Sequence, residues 1–130
     1  MTVNFLFIIP TLNSYFLLPT LIKSLKQQTY QNWRLIFVDG CSETDHIRWL
    51  DTCCAKEKRC SWIKQNPKEK GIYGAMNSGF EHAKTDEWIL FWGSDDWAAT
   101  STILEEIKNE LEDILKKDNT PDLIFTKAKY

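Results

Sequence analysis

The stretch ILFWGSDDW, residues 89–97, carries an apolar run directly into two adjacent carboxylates, Asp95 and Asp96. A continuous apolar run of this length is typical of a strand buried in a parallel sheet. The two carboxylates repel each other, and a divalent cation such as Mg²⁺ or Mn²⁺, which prefers oxygen ligands, would relieve that repulsion. An isolated Asp pair is more often a turn or a helix cap, because Asp is a common turn residue. The context of the pair must therefore decide between these interpretations.

Further apolar runs alternate with helical patterns along the chain. Strands are predicted at residues 3–9, 33–38, 61–63, 88–92 and 122–126. One helix begins near Leu18, and Pro19 is acceptable in its first turn. A second helix carries Ile47 and Leu50 after a cap at Ser42 or Thr44, a third covers residues 71–84, and a fourth follows a capping box at residues 102–105. This alternation predicts an α/β fold with a mostly parallel sheet covered by helices on both faces.

Composition restricts the classes of protein. The chain has 130 residues, 43% of them hydrophobic, and a net charge of -2, which indicates one globular domain and gives no electrostatic reason to expect nucleic acid as a partner. The first apolar run stops at Pro10, well short of the roughly 20 residues that a membrane-spanning helix needs. It also lacks the basic lead-in of a signal peptide, so we expect a cytosolic protein.

Polar residues follow each predicted strand. They are Pro10, Thr11 and Asn13 after the first strand, Asp39, Gly40 and Ser42 after the second, Asn66 and Lys70 after the third, and Ser94, Asp95 and Asp96 after the fourth. In open α/β sheets, ligands bind beyond the carboxyl ends of the strands, so the sequence predicts a polar cleft there. Neither a GxGxxG fingerprint nor a phosphate-binding P-loop is present, and His46 and His82 are expected at the surface.

Two local features leave alternatives open. The four cysteines (Cys41, Cys53, Cys54 and Cys60) match no zinc-finger spacing, so packed, reduced thiols are favoured over a zinc site completed by His46. The third helix contains several glycines, which are costly inside a helix. Close packing against the sheet or close approach of a ligand would compensate for that cost.

Five motifs in order resemble one enzyme family. They are PTLN (10–13), QQTYQNW (27–33), VDGCSETD (38–45), KGIYGAMNSGFEHA (70–83) and ILFWGSDDW (89–97). This set is similar to the inverting family 2 glycosyltransferases of the Rossmann-like, three-layer GT-A fold, and above all to bacterial members that build lipopolysaccharide, capsule or exopolysaccharide. The resemblance spans nearly all of the chain and implies a single nucleotide-sugar-binding domain over residues 1–130.

The resemblance implies a role for each motif. Thr11 and Asp39 would hold the nucleotide, usually uridine, with Pro10 and Asn13 beside them. Lys70, Gly71 and the helix bearing Asn77 would line the donor site. Ser94, Asp95 and Asp96 would bind Mn²⁺ or Mg²⁺ on the donor diphosphate, with Asp95 as the metal ligand and Asp96 near the sugar, where it is the one candidate for a direct catalytic role. The implied reaction is transfer of a sugar from a nucleotide diphosphate-sugar to a glycan or lipid-linked acceptor.

The chain departs from the family pattern at four points. Leu12 replaces the commoner aromatic residue, Gly74 stands where related sequences often have Asp, and Gly93 replaces the first carboxylate or amide of the metal motif. The fourth departure is length, because family members continue for roughly another hundred residues that supply the catalytic base and the acceptor site. The chain therefore resembles a truncated domain without that segment, and we expect an exposed sheet edge that favours self-association.

Two rival functions follow from these departures. One is a non-catalytic module that binds a nucleotide-sugar or a partner after loss of transfer activity. The other is a nucleotidyltransferase on a related fold, which the lack of a glycine-rich basic loop after the first strand disfavours. The family resemblance implies an enzyme of the cytoplasm, peripheral at the inner face of the membrane.

Overall fold

The computed structural model describes residues 2–117 and Asp122. Over that range the elements are β1 (Asn4–Thr11), α1 (Leu18–Lys26), β2 (Trp33–Asp39), α2 (Thr44–Lys56), β3 (Cys60–Lys64), α3 (Gly71–Phe80), β4 (Glu87–Phe91) and α4 (Ile103–Lys116). The predicted alternation of strands and helices is confirmed. Apart from Asp122, the predicted strand at residues 122–126 lies outside the described residues.

The sheet is parallel in every described pair of strands. The strand order is β3-β2-β1-β4, so β1 lies between β2 and β4. Thr11 at the end of β1 pairs in register with Asp39 at the end of β2, and Ile8 pairs with Phe91 at the end of β4. The carboxyl ends of these strands therefore meet at one edge, as the sequence predicted.

Side chains of β1 alternate between two apolar layers. Phe5, Phe7 and Ile9 belong to the larger core, which also contains the buried hydrophobic residues of α1, α2 and α4. Leu6 and Ile8 belong to a second core on the opposite face, against which α3 packs through Ala75. Helices thus cover both faces, and the predicted three-layer architecture is confirmed.

The glycines of α3 allow close packing, as predicted. A Cβ added at Gly79 would lie 2.5 Å from Cγ2 of Ile8, closer than real Cβ atoms approach. The helix ends at Phe80 rather than at Lys84, because the chain tightens there. The N–H of His82 donates to the carbonyl oxygen of Gly79 at 3.0 Å, three residues back.

The capping box predicted for α4 is not formed. Thr102 occupies the N-cap position but makes no side-chain capping bond. The N–H of Leu104 instead donates to Oε1 of buried Gln28 at 3.2 Å. A residue from the loop after α1 therefore pairs with one of the N–H groups at the start of α4 that have no partner within the helix. Local sequence spacing cannot reveal such a distant cap.

Strand β4 lies at an edge of the described sheet and is fastened by an ion pair. Nε and Nη2 of Arg34 donate to the two carboxylate oxygens of Glu87 at 2.6 and 2.7 Å, which links β2 to β4 across β1. Burial acts to raise the pKa of Glu87, but the hydrogen bonds from Arg34 and from the Lys84 backbone outweigh it and lower that pKa. Within the described part of the chain, no helix is long and apolar enough to cross a membrane.

Candidate functional site

A cleft of about 850 Å³ opens at the carboxyl ends of β1, β2 and β3. Five of the residues predicted to bind the donor line it, namely Pro10, Thr11, Asp39, Lys70 and Gly71, and so do Gly40, Ser42 and Asn66 of the predicted polar cleft. Leu12, Ile47 and Trp62 add apolar surface to its walls. The indole Nε1 of Trp62 donates to Oδ1 of Asp51 at 2.8 Å, which fixes the orientation of that ring. The cleft therefore combines one buried carboxylate with flat apolar walls.

Asp39 is the most extensively hydrogen-bonded side chain in the cleft. Its Oδ1 accepts from Oγ1 of Thr11 at 3.1 Å and from Oγ of Ser42 at 2.6 Å, and its Oδ2 accepts from the Ser42 N–H at 2.8 Å. Asp39 is only 2% exposed. Because each carboxylate oxygen accepts about two hydrogen bonds, Oδ1 is filled and Oδ2 keeps one acceptor position.

Asn13 joins the loop after β1 to the start of α2. Its N–H donates to Oγ of Ser42 at 2.8 Å, and its Oδ1 accepts from the N–H of Glu43 at 2.7 Å. The backbone of Asn13 has φ of 50°, a conformation that Asn tolerates better than most residues. The prediction that Ser42 or Thr44 caps α2 is wrong. Glu43 holds the N-cap position without a side-chain bond, and the Ser42 hydroxyl is committed to Asp39.

His46 is fully buried, so the prediction that it lies at the surface is wrong. It lies in the first turn of α2, with 0% exposure, and its Nε2 is 3.2 Å from Oδ1 of Asp39. That separation is within ion-pair range, but the two atoms are not aligned as a hydrogen bond. Burial lowers the pKa of His46, and the charge of Asp39 only partly opposes this effect. His82 is exposed, as predicted.

The loop after β4 approaches the cleft from the β1 side. Oγ of Ser94 donates to the carbonyl oxygen of Pro10 at 3.0 Å and accepts from Oγ of Ser14 at 2.8 Å. These bonds attach the loop to the segment after β1. Residues 94–96 are not among the lining residues of the cleft, so the loop that carries the predicted metal ligands lies outside it.

The two adjacent aspartates have different surroundings. Oδ2 of Asp96 accepts from the Gly93 N–H at 2.7 Å, and the Asp96 N–H donates to the Gly93 carbonyl oxygen at 3.1 Å. Asp96 therefore shapes its own turn. Asp95 is exposed, and its carboxylate accepts no hydrogen bond from any residue that the structure describes.

Helix α3 meets the cleft only at its beginning. A Cβ added at Gly74 would lie 2.3 Å from the backbone carbonyl carbon and oxygen of Glu69. Nε2 of Gln65 donates to the carbonyl oxygens of Glu69 and Gly71 at 2.7 and 2.9 Å, which holds the preceding loop against the helix. Asn77, which the sequence predicted in the donor site, is exposed and does not line the cleft.

The cysteines lie apart from this arrangement, except for Cys41, which is exposed and lines the cleft. Cys53, Cys54 and Cys60 pack in or against the larger core. Burial raises the pKa of Cys54 to about 12. In residues 2–117 and at Asp122, no group of three or more His, Cys, Asp or Glu side chains is arranged to hold a metal ion.

Sequence reasoning overlooked His46, which lies beside the cleft, and two residues that line it. His46 and Leu50 are four residues apart in α2. Because Leu50 is a core residue, that i, i+4 spacing was an available signal that His46 faces inward. Trp62 and Glu69 also line the cleft, but no motif marked them, because their positions depend on the path of the loop after β3.

Comparison with known proteins gives the family. The model of glycosyl transferase family 2 matches residues 6–123. The chain belongs to glycosyl transferase family 2. The family predicted from the five sequence motifs is thereby confirmed.

Individual relatives are similar over only part of their length. A PGL/p-HBAD biosynthesis glycosyltransferase of Mycobacterium bovis is 38% identical over 92 residues, which is 71% of this chain and 35% of the relative. An uncharacterized glycosyltransferase of Haemophilus influenzae is 32% identical over 108 residues, covering 83% of this chain and 42% of that protein. The chain thus spans well under half the length of these relatives.

Solved structures share the fold. The crystal structure of Staphylococcus aureus TarS 1-349 matches with a TM-score of 0.73 at 21% identity, over 85% of this chain and 32% of TarS. The same protein in complex with UDP matches with a TM-score of 0.72 at 22% identity, over 85% of this chain and 32% of that one. At this level of identity the likeness concerns architecture alone.

Proposed function

We propose that the chain is the donor-binding part of a glycosyltransferase that transfers a sugar, with inversion, from a UDP-sugar to a glycan or lipid-linked acceptor in cell-surface polysaccharide synthesis. The observation that carries this proposal is the network of Thr11, Asp39 and Ser42 on the wall of the cleft, 3.1 Å or less from donor to acceptor. Thr11 and Asp39 bind the uridine in this proposal. The TarS structures with UDP and with UDP-GlcNAc support it by fold.

The one hydrogen-bond acceptor position that Asp39 leaves open suits a uracil base. Uracil presents one N–H, at N3, and the open acceptor position on Oδ2 of Asp39 can receive it. Leu12, Ile47 and Trp62 supply apolar contacts for the ring, since they line the same cleft. A hydrogen bond to a carboxylate is stronger than one to a neutral acceptor, so Asp39 contributes most to base affinity.

The diphosphate would extend toward the positive groups of the cleft. Lys70 lines the cleft, and the first N–H groups of α3 have no side-chain cap. A helix N-terminus with free N–H groups favours anions. Lys70, Gly71 and the start of α3 therefore hold the phosphates in this proposal, while Asn77 lies too far along the helix face to line the cleft.

Asp95 and Asp96 fit a divalent metal by donor chemistry. The Asp95 carboxylate is exposed and unengaged by described residues, whereas Oδ2 of Asp96 is committed to the Gly93 N–H. Mg²⁺ and Mn²⁺ take oxygen ligands, and Mg²⁺ often uses only one or two carboxylates and takes its remaining ligands from water and phosphates. Asp95 would be the principal ligand, with Asp96 in support near the sugar. When bound, the metal supplies positive charge that offsets the negative charge of the leaving diphosphate.

Calorimetric titration with UDP and GDP, with and without Mn²⁺, tests this function. We expect UDP to bind more tightly with Mn²⁺, and Asp95→Ala to remove the metal dependence. Asp86→Ala is the matched control, because Asp86 precedes β4 at the amino end of the sheet and, among the described residues, its carboxylate accepts a hydrogen bond only from Asn4. Failure to bind any nucleotide would refute the proposal. Release of UDP from a UDP-sugar then distinguishes an enzyme from a binding module.

The proposal includes a location and an assembly state. It places the chain in the cytoplasm at the inner face of the membrane, where a lipid-linked acceptor would be reached. It also includes self-association through β4, an edge strand of the described sheet on which Phe91 is 45% exposed. A monomer at all concentrations in sedimentation would contradict the assembly state.

A further inference from the structure

His46 presents an unusual feature for a buried polar side chain. Its exposure is 0%, and neither ring nitrogen has an aligned hydrogen-bond partner among the residues that the structure describes. Buried polar atoms are nearly always paired, so an exception at this position calls for an explanation. The ring lies beside Asp39, with Nε2 3.2 Å from Oδ1.

The oxygen that His46 approaches is the one already filled. Oδ1 of Asp39 accepts from the hydroxyls of Thr11 and Ser42, whereas Oδ2 accepts, among the described residues, only from the Ser42 N–H. The Nε2 atom of His46 therefore adds a third polar group beside Oδ1. The carboxylate is held from three sides, by β1, by the loop after β2 and by α2.

One tautomer of His46 fits this contact. Burial lowers the pKa of His46, with the Asp39 charge opposing, so the ring is neutral at neutral pH. If Nε2 carries the proton, the positive end of its N–H dipole lies near the negative Oδ1, which is favourable even though the two atoms are not aligned as a hydrogen bond. If Nδ1 carries it, the lone pair of Nε2 faces an anionic oxygen 3.2 Å away, which is repulsive. The contact therefore selects the Nε2–H tautomer.

We infer that His46 is a positioning residue for base selection, which holds Asp39 so that the cleft offers a single acceptor, on Oδ2. This inference rests on the proposed function. Uracil presents one N–H between two carbonyl groups and matches a single acceptor. Guanine presents two neighbouring donors, at N1 and N2, and gains from a carboxylate only when both oxygens are open to it. Free rotation of Asp39 would reduce that discrimination.

The test compares UDP and GDP affinities, measured by calorimetry with Mn²⁺, in three variants of the full chain. His46→Phe keeps an aromatic ring but removes the polar Nε2 group beside Oδ1, and we expect the UDP/GDP affinity ratio to fall about fivefold because that electrostatic contact is lost. His46→Gln places an amide N–H near the position of Nε2, and we expect it to keep the ratio within about twofold of wild type. The control is His82→Phe, the same change at an exposed histidine, which should leave the ratio unchanged.

The outcomes separate this inference from the proposed function. If the wild-type chain binds no nucleotide, the proposed function fails. If the wild type binds UDP and Asp39→Ala does not, but His46→Phe keeps the wild-type ratio, only the inference on His46 is overturned. If His46→Phe does not fold, ¹⁵N NMR of the wild-type imidazole decides: a protonated Nε2 supports the inference, and a protonated Nδ1 overturns it.

Discussion

Replacing Gly74 by Asp, the residue that related sequences often carry there, should weaken the donor site rather than complete it. A Cβ at this position would lie 2.3 Å from the backbone of Glu69, whereas ordinary contact begins at 3.4 Å. The loop must therefore retreat by about 1.1 Å. The Gln65 bond to the Glu69 carbonyl, 2.7 Å long, would then stretch beyond hydrogen-bond distance.

The expected cost follows from these changes. Overpacking costs about 1–3 kcal/mol, and the lost hydrogen bond about 0.5–1.5 kcal/mol. Removing a glycine from a helix returns up to about 1 kcal/mol. We expect Gly74→Ala and Gly74→Asp each to lower the free energy of unfolding by about 0.5–4.5 kcal/mol in a urea titration. Both should also weaken UDP binding, because Glu69 and Lys70 line the cleft and move with the loop.

Gly79→Ala provides the matched comparison in the same helix. Its added Cβ would meet the Ile8 side chain at 2.5 Å, on the sheet face and away from the loop. It should lower stability while leaving UDP affinity near wild type. A Gly74→Ala variant more stable than wild type, or a Gly74→Asp variant that binds UDP more tightly, would show that the loop moves aside freely and would contradict this prediction.

Three further predictions concern the cleft, the edge strand and the buried histidine. Iodoacetamide should modify Cys41 before Cys54, because the raised pKa of Cys54 disfavours its thiolate. Saturating UDP should protect Cys41, because Cys41 lines the cleft. Equal modification rates of the two cysteines by mass spectrometry would contradict this prediction. Glu87→Gln should lower the free energy of unfolding by about 1–3 kcal/mol at pH 7. The pKa of Glu87 in the folded protein lies below 4.5, so the wild type should lose this advantage as the pH falls through 4.5 toward that folded pKa. Urea titrations of the two proteins should converge there. The pKa of His46 in the folded protein lies below 6.5, so the free energy of unfolding of the wild type should fall as the pH drops below 6.5, by at most about 1.4 kcal/mol per pH unit. His46→Gln should lack this pH dependence. Parallel pH profiles of the two proteins would contradict the prediction.

The sequence predicted the sheet well because its strands are decided locally. Residues 3–9 and 33–38 are continuous apolar runs, and such runs have few alternatives to a buried strand. The carboxyl-edge rule then brought Thr11 and Asp39 together without any contact information. The predictions of helix caps failed because the caps depend on distant residues. Gln28 reaches the start of α4 from a loop far away in the sequence, and the Ser42 hydroxyl binds Asp39 instead of capping α2.

The sequence predicted the cleft residues at the ends of β1 and β2 and in the loop before α3, but it predicted the surroundings of Asn77 and His46 less well. Motif positions indicated Thr11, Asp39 and Lys70, and all three line the cleft. Asn77 does not line the cleft, because α3 brings only its first turn there, and its role in the donor site stays a prediction. Which face of α3 the sheet covers is fixed by the close approach of Gly79 to Ile8. The prediction that His46 lies at the surface was wrong because it used the average exposure of histidine, which takes no account of a buried carboxylate such as Asp39 next to the ring.

The bond between Ser14 and Ser94 joins two residues that are 80 positions apart in the chain. During synthesis at about 5–20 residues per second, the second of them leaves the ribosome roughly 4–16 s after the first. Strand β2 is synthesised within that interval and can pair with one side of β1, while the other side stays an open edge until β4 arrives. For seconds the nascent chain therefore exposes a row of unpaired backbone N–H and C=O groups to which other chains can bind.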